Sequence, residues 1–115
     1  MKELKLDPAL LAIAIEGHVY TFRADAAFAE RVAQLAGEAE RRSAMASAEE
    51  RNDPVGTAAF LSYAVDSLLG DGTVETIFGA DIPEILPLLD ILDGIMTVFC
   101  DYRAARITQL KEGMA

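Results

Sequence analysis

Tryptophan is absent from this chain, and cysteine and histidine occur once each, as Cys100 and His18. A single thiol rules out an internal disulfide, so cysteine usage does not point to an oxidising compartment. A lone imidazole with no recognisable nucleophile or orienting acid beside it leaves no place for a catalytic triad. Metal-ligand spacings of Cys and His are missing as well. Cations are scarce, with 10 Lys and Arg against 19 Asp and Glu and a net charge of -9. Such a balance repels a phosphate backbone, so no nucleic-acid partner is expected. Long apolar runs are also wanting. The stretch Ile85 to Cys100 is too short for a bilayer, and Asp90 and Asp93 interrupt it. Met1 to Asp7 alternates charge with leucine and lacks the apolar core of a signal peptide. The expectation is a cytoplasmic protein with no membrane partner.

What is present is a globular composition, 52% hydrophobic and 25% charged over 115 residues, enough for one packed domain. Plentiful alanine favours helix–helix packing. The acidic surface keeps an otherwise sticky protein soluble.

Leu10 to Ile15 reads as a strand, Glu16-Gly17-His18 as a turn, and Val19 to Arg23 as the most β-prone piece of the chain. The hairpin spans 10–23 and places Tyr20 and Phe22 on one face. A lone hairpin is barely stable in water, so that face must pack on helices or pair with another chain. Asp25 is the expected N-cap of a helix whose apolar stripe is Phe28, Val32, Leu35, Ala36 and Ala39. Glu30, Gln34, Glu38 and Arg41 take its other side, and the helix runs past Arg42. Between Ser43 and Arg51 helix is allowed, with little apolar face.

Asp53-Pro54 restarts a helix with a cap and a proline at its first position. Ala58, Leu61, Val65, Leu68 and Leu69 are its stripe, widened by Phe60 and Ala64. Gly70 should end it in the left-handed conformation. Thr73 is then predicted to cap a short helix with Val74, Ile77 and Phe78 inward, closed by Gly79. Asp81-Ile82-Pro83-Glu84 resembles a capping box for the last helix, which should reach about Lys111. Pro87 requires either a kink in its first turn or a later start.

That last helix is apolar around far more of its circumference than the arc of roughly 100° a surface helix needs. Ile85, Leu86, Leu88, Leu89, Ile91, Leu92, Ile95, Met96, Val98 and Phe99 leave only a narrow polar stripe through Asp90, Asp93, Thr97 and Asp101. It is either buried in the middle of the bundle or buried on two sides, one against its own fold and one against a partner; the second is the expectation. Beyond Phe99 it turns amphipathic, with Tyr102, Ile107 and Leu110 alternating with Arg103, Arg106 and Lys111.

Side chains that could carry chemistry have simpler readings. Gly70-Asp71-Gly72-Thr73 lacks the lysine of a P-loop and the carboxylate spacing of an EF-hand, and reads as a helix–turn–helix joint. Asp90 and Asp93 share a helical face, but with no histidine nearby a solvated stripe is the better reading than a metal site. His18 reads as an exposed turn residue, and Cys100 as a half-buried structural thiol with no activating base. The pairs Arg41-Arg42 and Arg103 with Arg106 are expected to meet the chain's own acids. No catalytic residue, cofactor site or metal ligand is expected.

The order of elements adds one further clue. The hairpin Ile15-Glu16-Gly17-His18-Val19-Tyr20-Thr21-Phe22, the helix start Asp25-Ala26-Ala27-Phe28-Ala29-Glu30, and the joint Leu68 to Gly79 containing GDGTVETIFG stand in sequence ahead of a long final helix. This resembles a family of small phage and prophage proteins associated with tail-morphogenesis gene clusters, from Ile13 to about Lys111, the joint being its most specific piece. The resemblance implies a tail assembly chaperone: a small, acidic, helical, non-catalytic protein that holds tape-measure and tail-tube subunits soluble until assembly.

The expected architecture is α+β in one domain, 1–115, with a β-hairpin at 10–23 packed on about four helices over 25–111. The expected function is non-enzymatic binding of apolar helical segments of phage tail proteins. Ile91, Ile95, Met96, Val98, Phe99 and Tyr102 are the candidate protein-binding residues, for self-association as a homo-oligomer or for partner capture. Alternatives are a structural virion component, such as a head–tail connector or minor tail protein, and a small regulatory adaptor. A small enzyme built on the carboxylates and Cys100 ranks below these.

Overall fold

The computed structural model describes residues 10–45, 53–79 and 83–114. Strands β1 (Leu10–Ile15) and β2 (His18–Arg23) form an antiparallel hairpin in which Leu11 faces Phe22, Ile13 faces Tyr20 and Ile15 faces His18. The turn is the two residues Glu16 and Gly17, both at positive φ (51° and 80°). That geometry matches the twist of the flanking strands, and glycine adopts it without strain. His18 therefore belongs to β2 and is not part of the turn. Leu11, Ile13, Ile15, Tyr20 and Phe22 point to the protein, while Leu10, Ala12, Ala14, Val19 and Thr21 point away. The aromatics share a face, as the alternation predicts.

Helix α1 (Ala26–Met45) opens on Asp25, whose Oδ1 accepts the Phe28 N–H at 2.8 Å. Phe28 is fully buried, and Val32 and Leu35 are half-buried. Ala36 and Ala39 are exposed, contrary to the predicted stripe; alanine has too little side chain to draw that part of the helix onto a core. Arg42 ties the helix down, lying 5.0 Å above the Phe60 ring and donating to the Gly56 carbonyl at 3.5 Å.

Helix α2 (Pro54–Leu69) begins as predicted, with Asp53 accepting the Val55 N–H at 3.1 Å and proline at its start. Ala58, Leu61, Ala64, Val65 and Leu68 are buried. Its end differs from expectation. Gly70 has φ 119° and ψ 150°, an extended mirror-image conformation and not the left-handed helical one, although its N–H still bonds the Asp66 carbonyl at 2.8 Å. The left-handed residue is Gly72, the N-cap of α3 (Thr73–Phe78). Thr73 is therefore the first helical residue and not the cap; it is buried and its Oγ1 donates to the Gly70 carbonyl at 2.7 Å. Asp66 does the capping, with Oδ1 accepting the Val74 N–H at 2.9 Å and Oδ2 the Gly72 N–H at 3.4 Å.

Helix α4 (Ile85–Met114) takes the later start that Pro87 allows. Proline then sits in the first turn, where its missing N–H has no intrahelical partner to lose. The predicted capping residues Asp81 and Ile82 lie outside the described residues, as does most of Ser43 to Arg51.

The core joins these pieces. Phe22 stacks on Phe28 (centroids 4.7 Å apart, planes 18°), and Phe28 tilts against Phe99 at 4.8 Å. One aromatic column thus links hairpin, α1 and α4. Val65, Leu88 and Ile95 are fully buried beside it. The hairpin lies close on α4 at Gly94, where a Cβ would come within 2.9 Å of Ile13 Cδ1. The result is an α+β fold of a two-stranded hairpin and four described helices. No helix among the described residues is long and apolar enough to cross a membrane.

Candidate protein-binding surfaces

Three of the six candidate residues belong to the protein's own core: Ile91, Ile95 and Phe99 are buried. Met96, Val98 and Tyr102 are half-buried. The wide apolar arc of α4 has an internal cause. The first half of the helix packs against both α2 and the hairpin, so apolar side chains are needed on more than one side. From Arg103 to Gly113 every residue is exposed, so the final turns of the helix leave the core behind.

The exposed apolar side chains lie elsewhere. On the outer face of the hairpin, Leu10 (63% exposed) and Val19 (67%) stand with Ala12 and Ala14, all solvent-facing because the strand period sends alternate residues away from α4. On α4, Leu86 (72%), Leu89, Ile107 and Leu110 are exposed. A shallow open cleft of about 310 Å³ lies where α2 and α4 begin, lined by Pro54, Val55, Pro83, Glu84, Ile85 and Leu86. Pro54 opens α2, and with Pro83 it walls an apolar notch.

Sequence reasoning had named Leu86, Leu89, Ile107 and Leu110 only as parts of an apolar or amphipathic helix. The signal that separates them from the core was their spacing. Leu86 and Leu89, like Ile107 and Leu110, are three residues apart, and the two pairs share an arc about 100° round the helix from Leu88, Ile95 and Phe99.

The groups weighed for chemistry are scattered. His18 is exposed on β2. Cys100 is exposed and not half-buried, because the step of about 100° from Phe99 carries it off the core face. Asp90 and Asp93 are both exposed on α4. Among the described residues no three His, Cys, Asp or Glu side chains gather as a metal would require. The apolar cleft lies some 22 Å along α4 from Cys100, measured at about 1.5 Å per residue.

No family model matches the chain, and no curated protein and no solved structure matches it either.

Proposed function

We propose that this chain is a non-enzymatic, tail-assembly chaperone-like protein that binds apolar helical segments of phage tail proteins, such as the tape measure or tail tube, in the host cytoplasm. The observation that carries the reading is the outer face of the hairpin. Leu10, Ala12, Ala14 and Val19, bordered on β2 by Thr21 and Arg23, form an apolar patch on a two-stranded sheet whose other face is already packed on α4. A sheet face of this kind is stabilised by a helix laid across it, which would sandwich the hairpin between α4 and the client. Alanines at the centre of β1 let such a helix approach closely, and Leu10 and Val19 flank them. The net charge of -9 supports the reading from the other side, because an acidic carrier keeps a complex with an apolar client from self-associating.

For clients this surface is proposed ahead of the candidate residues on α4, of which Ile91, Ile95 and Phe99 are buried within the fold. The test is co-expression of a tape-measure segment with the full chain, wild type or Val19→Asp. Wild type should raise the soluble yield of the segment and co-elute with it. Val19 is two-thirds exposed, so its aspartate variant should fold normally and lose at least about tenfold in capture, the equivalent of roughly 1.4 kcal/mol. Equal recovery of the segment with and without the chain would sink the proposal. A structural virion component would present the same patch but would be found in mature particles.

A further inference from the structure

The exposed side of α4 has an internal symmetry that the fold does not use. Leu86, Leu89, Asp93, Met96, Cys100, Arg103, Ile107 and Leu110 follow one another at alternating steps of three and four, along a single stripe of the helix. Met96, in the middle of the stripe, is half-buried against the core, and the other seven are exposed. The stripe covers about three and a half heptads, roughly 36 Å of helix. That is the length over which a two-helix seam becomes distinctive.

Read from its two ends, the stripe matches itself. Placed antiparallel about a point level with residue 98, Leu86 meets Leu110, Leu89 meets Ile107, Met96 meets Cys100, and Asp93 meets Arg103. Every apolar layer falls on an apolar layer, and the single acid falls on the single base. Sliding the pairing by one heptad in either direction puts Asp93 or Arg103 against an apolar side chain, so the match selects one register. A parallel pairing would set Asp93 against Asp93 and Arg103 against Arg103.

We propose that α4 pairs antiparallel with α4 of a second copy of this chain, about a two-fold axis at residue 98, closed by two Asp93–Arg103 ion pairs between protomers. The pairing accounts for the exposed final turns of α4. Among the described residues they stand exposed from Arg103 to Gly113, and in the dimer they cover the first turns of the partner's helix. Arg103, whose guanidinium lies 5.6 Å from the Phe99 ring, is held beside the seam in readiness. The hairpin sits over Gly94, on another side of α4, so its outer face stays open in the dimer. The inference stands apart from the chaperone reading, and either can fail alone.

The test is light scattering behind size exclusion on the full chain at tens of micromolar, with circular dichroism to check the fold. Wild type should be a dimer. Asp93→Arg sets two like charges face to face twice over, and so does Arg103→Asp. Each variant should keep its helicity and dimerise at least about tenfold more weakly. Mixing the two variants in equal amounts restores opposite charges in both pairs, and so does combining both changes in one chain; both should recover the dimer. A monomeric wild type overturns the proposal. Single variants that remain dimeric overturn it too, as does a mixture that stays monomeric, since the second copy would then sit elsewhere or in another register.

Discussion

Asp66 offers the sharpest test of how the chain turns between α2 and α3. Its carboxylate bonds the Val74 N–H at 2.9 Å and the Gly72 N–H at 3.4 Å, two of the free donors at the start of α3. An acid in the last turn of its own helix, α2, is ordinarily unfavourable, so its presence there is explained by the next helix. Asp66→Ala removes both acceptors and leaves the Val74 N–H without a partner beside a buried side chain. Loss of a capping side chain costs about 0.5–2 kcal/mol, and stranding a half-buried donor puts this case near the top of that range, about 1.5–2 kcal/mol. A chain of this length has an unfolding entropy of roughly 0.24 kcal/mol/K, so Tm should fall by about 6–8 °C. Asp66→Asn keeps one acceptor and loses the charge, and should fall about half as far. Urea unfolding followed at 222 nm gives the free energies, and a thermal melt gives Tm. A change below about 0.5 kcal/mol for Asp66→Ala would refute the reasoning and leave the three glycines of the joint to hold the turn by themselves.

Two further outcomes follow from the core. Phe28→Leu keeps an apolar side chain but breaks the column between Phe22 and Phe99; two aromatic contacts at about 0.5–1.5 kcal/mol each predict a loss of roughly 1–3 kcal/mol in urea unfolding. Ser62 Oγ is buried without a hydrogen-bond partner, so Ser62→Ala should be neutral or stabilising by up to about 1 kcal/mol, read as an unchanged or raised Tm.

The parts of this fold legible in the sequence are those decided by neighbours in the chain. The hairpin follows from alternation around Glu16-Gly17, and Asp25 and Asp53-Pro54 mark helix starts because a cap acts within three residues. The joint was legible as a joint but not in its parts. Thr73 had the right chemistry for a cap, yet Asp66, eight residues before Val74, reaches across the turn to do it. No local rule ranks a residue at that distance. Gly70 escaped for a related reason. Sequence shows that glycine permits positive φ, but the direction in which the chain must leave α2 decides which of the glycine-only regions is used.

The candidate residues on α4 raise a more general point. Composition cannot tell which apolar residues of α4 face inward when the helix is apolar nearly all round. Leucine and isoleucine occur on both sides, and the packing of α1, α2 and the hairpin assigns Leu88, Ile95 and Phe99 to the core. What remained outside differs in kind. The core arc of α4 holds no charge, whereas the outer stripe carries one acid and one base, set ten residues apart and equidistant from its centre. A core excludes unpaired charges because burying them is costly, while an interface between identical chains accepts one of each sign if they meet across the two-fold axis. Charge placement, and not apolarity, is therefore what distinguishes the surface of this helix from its interior.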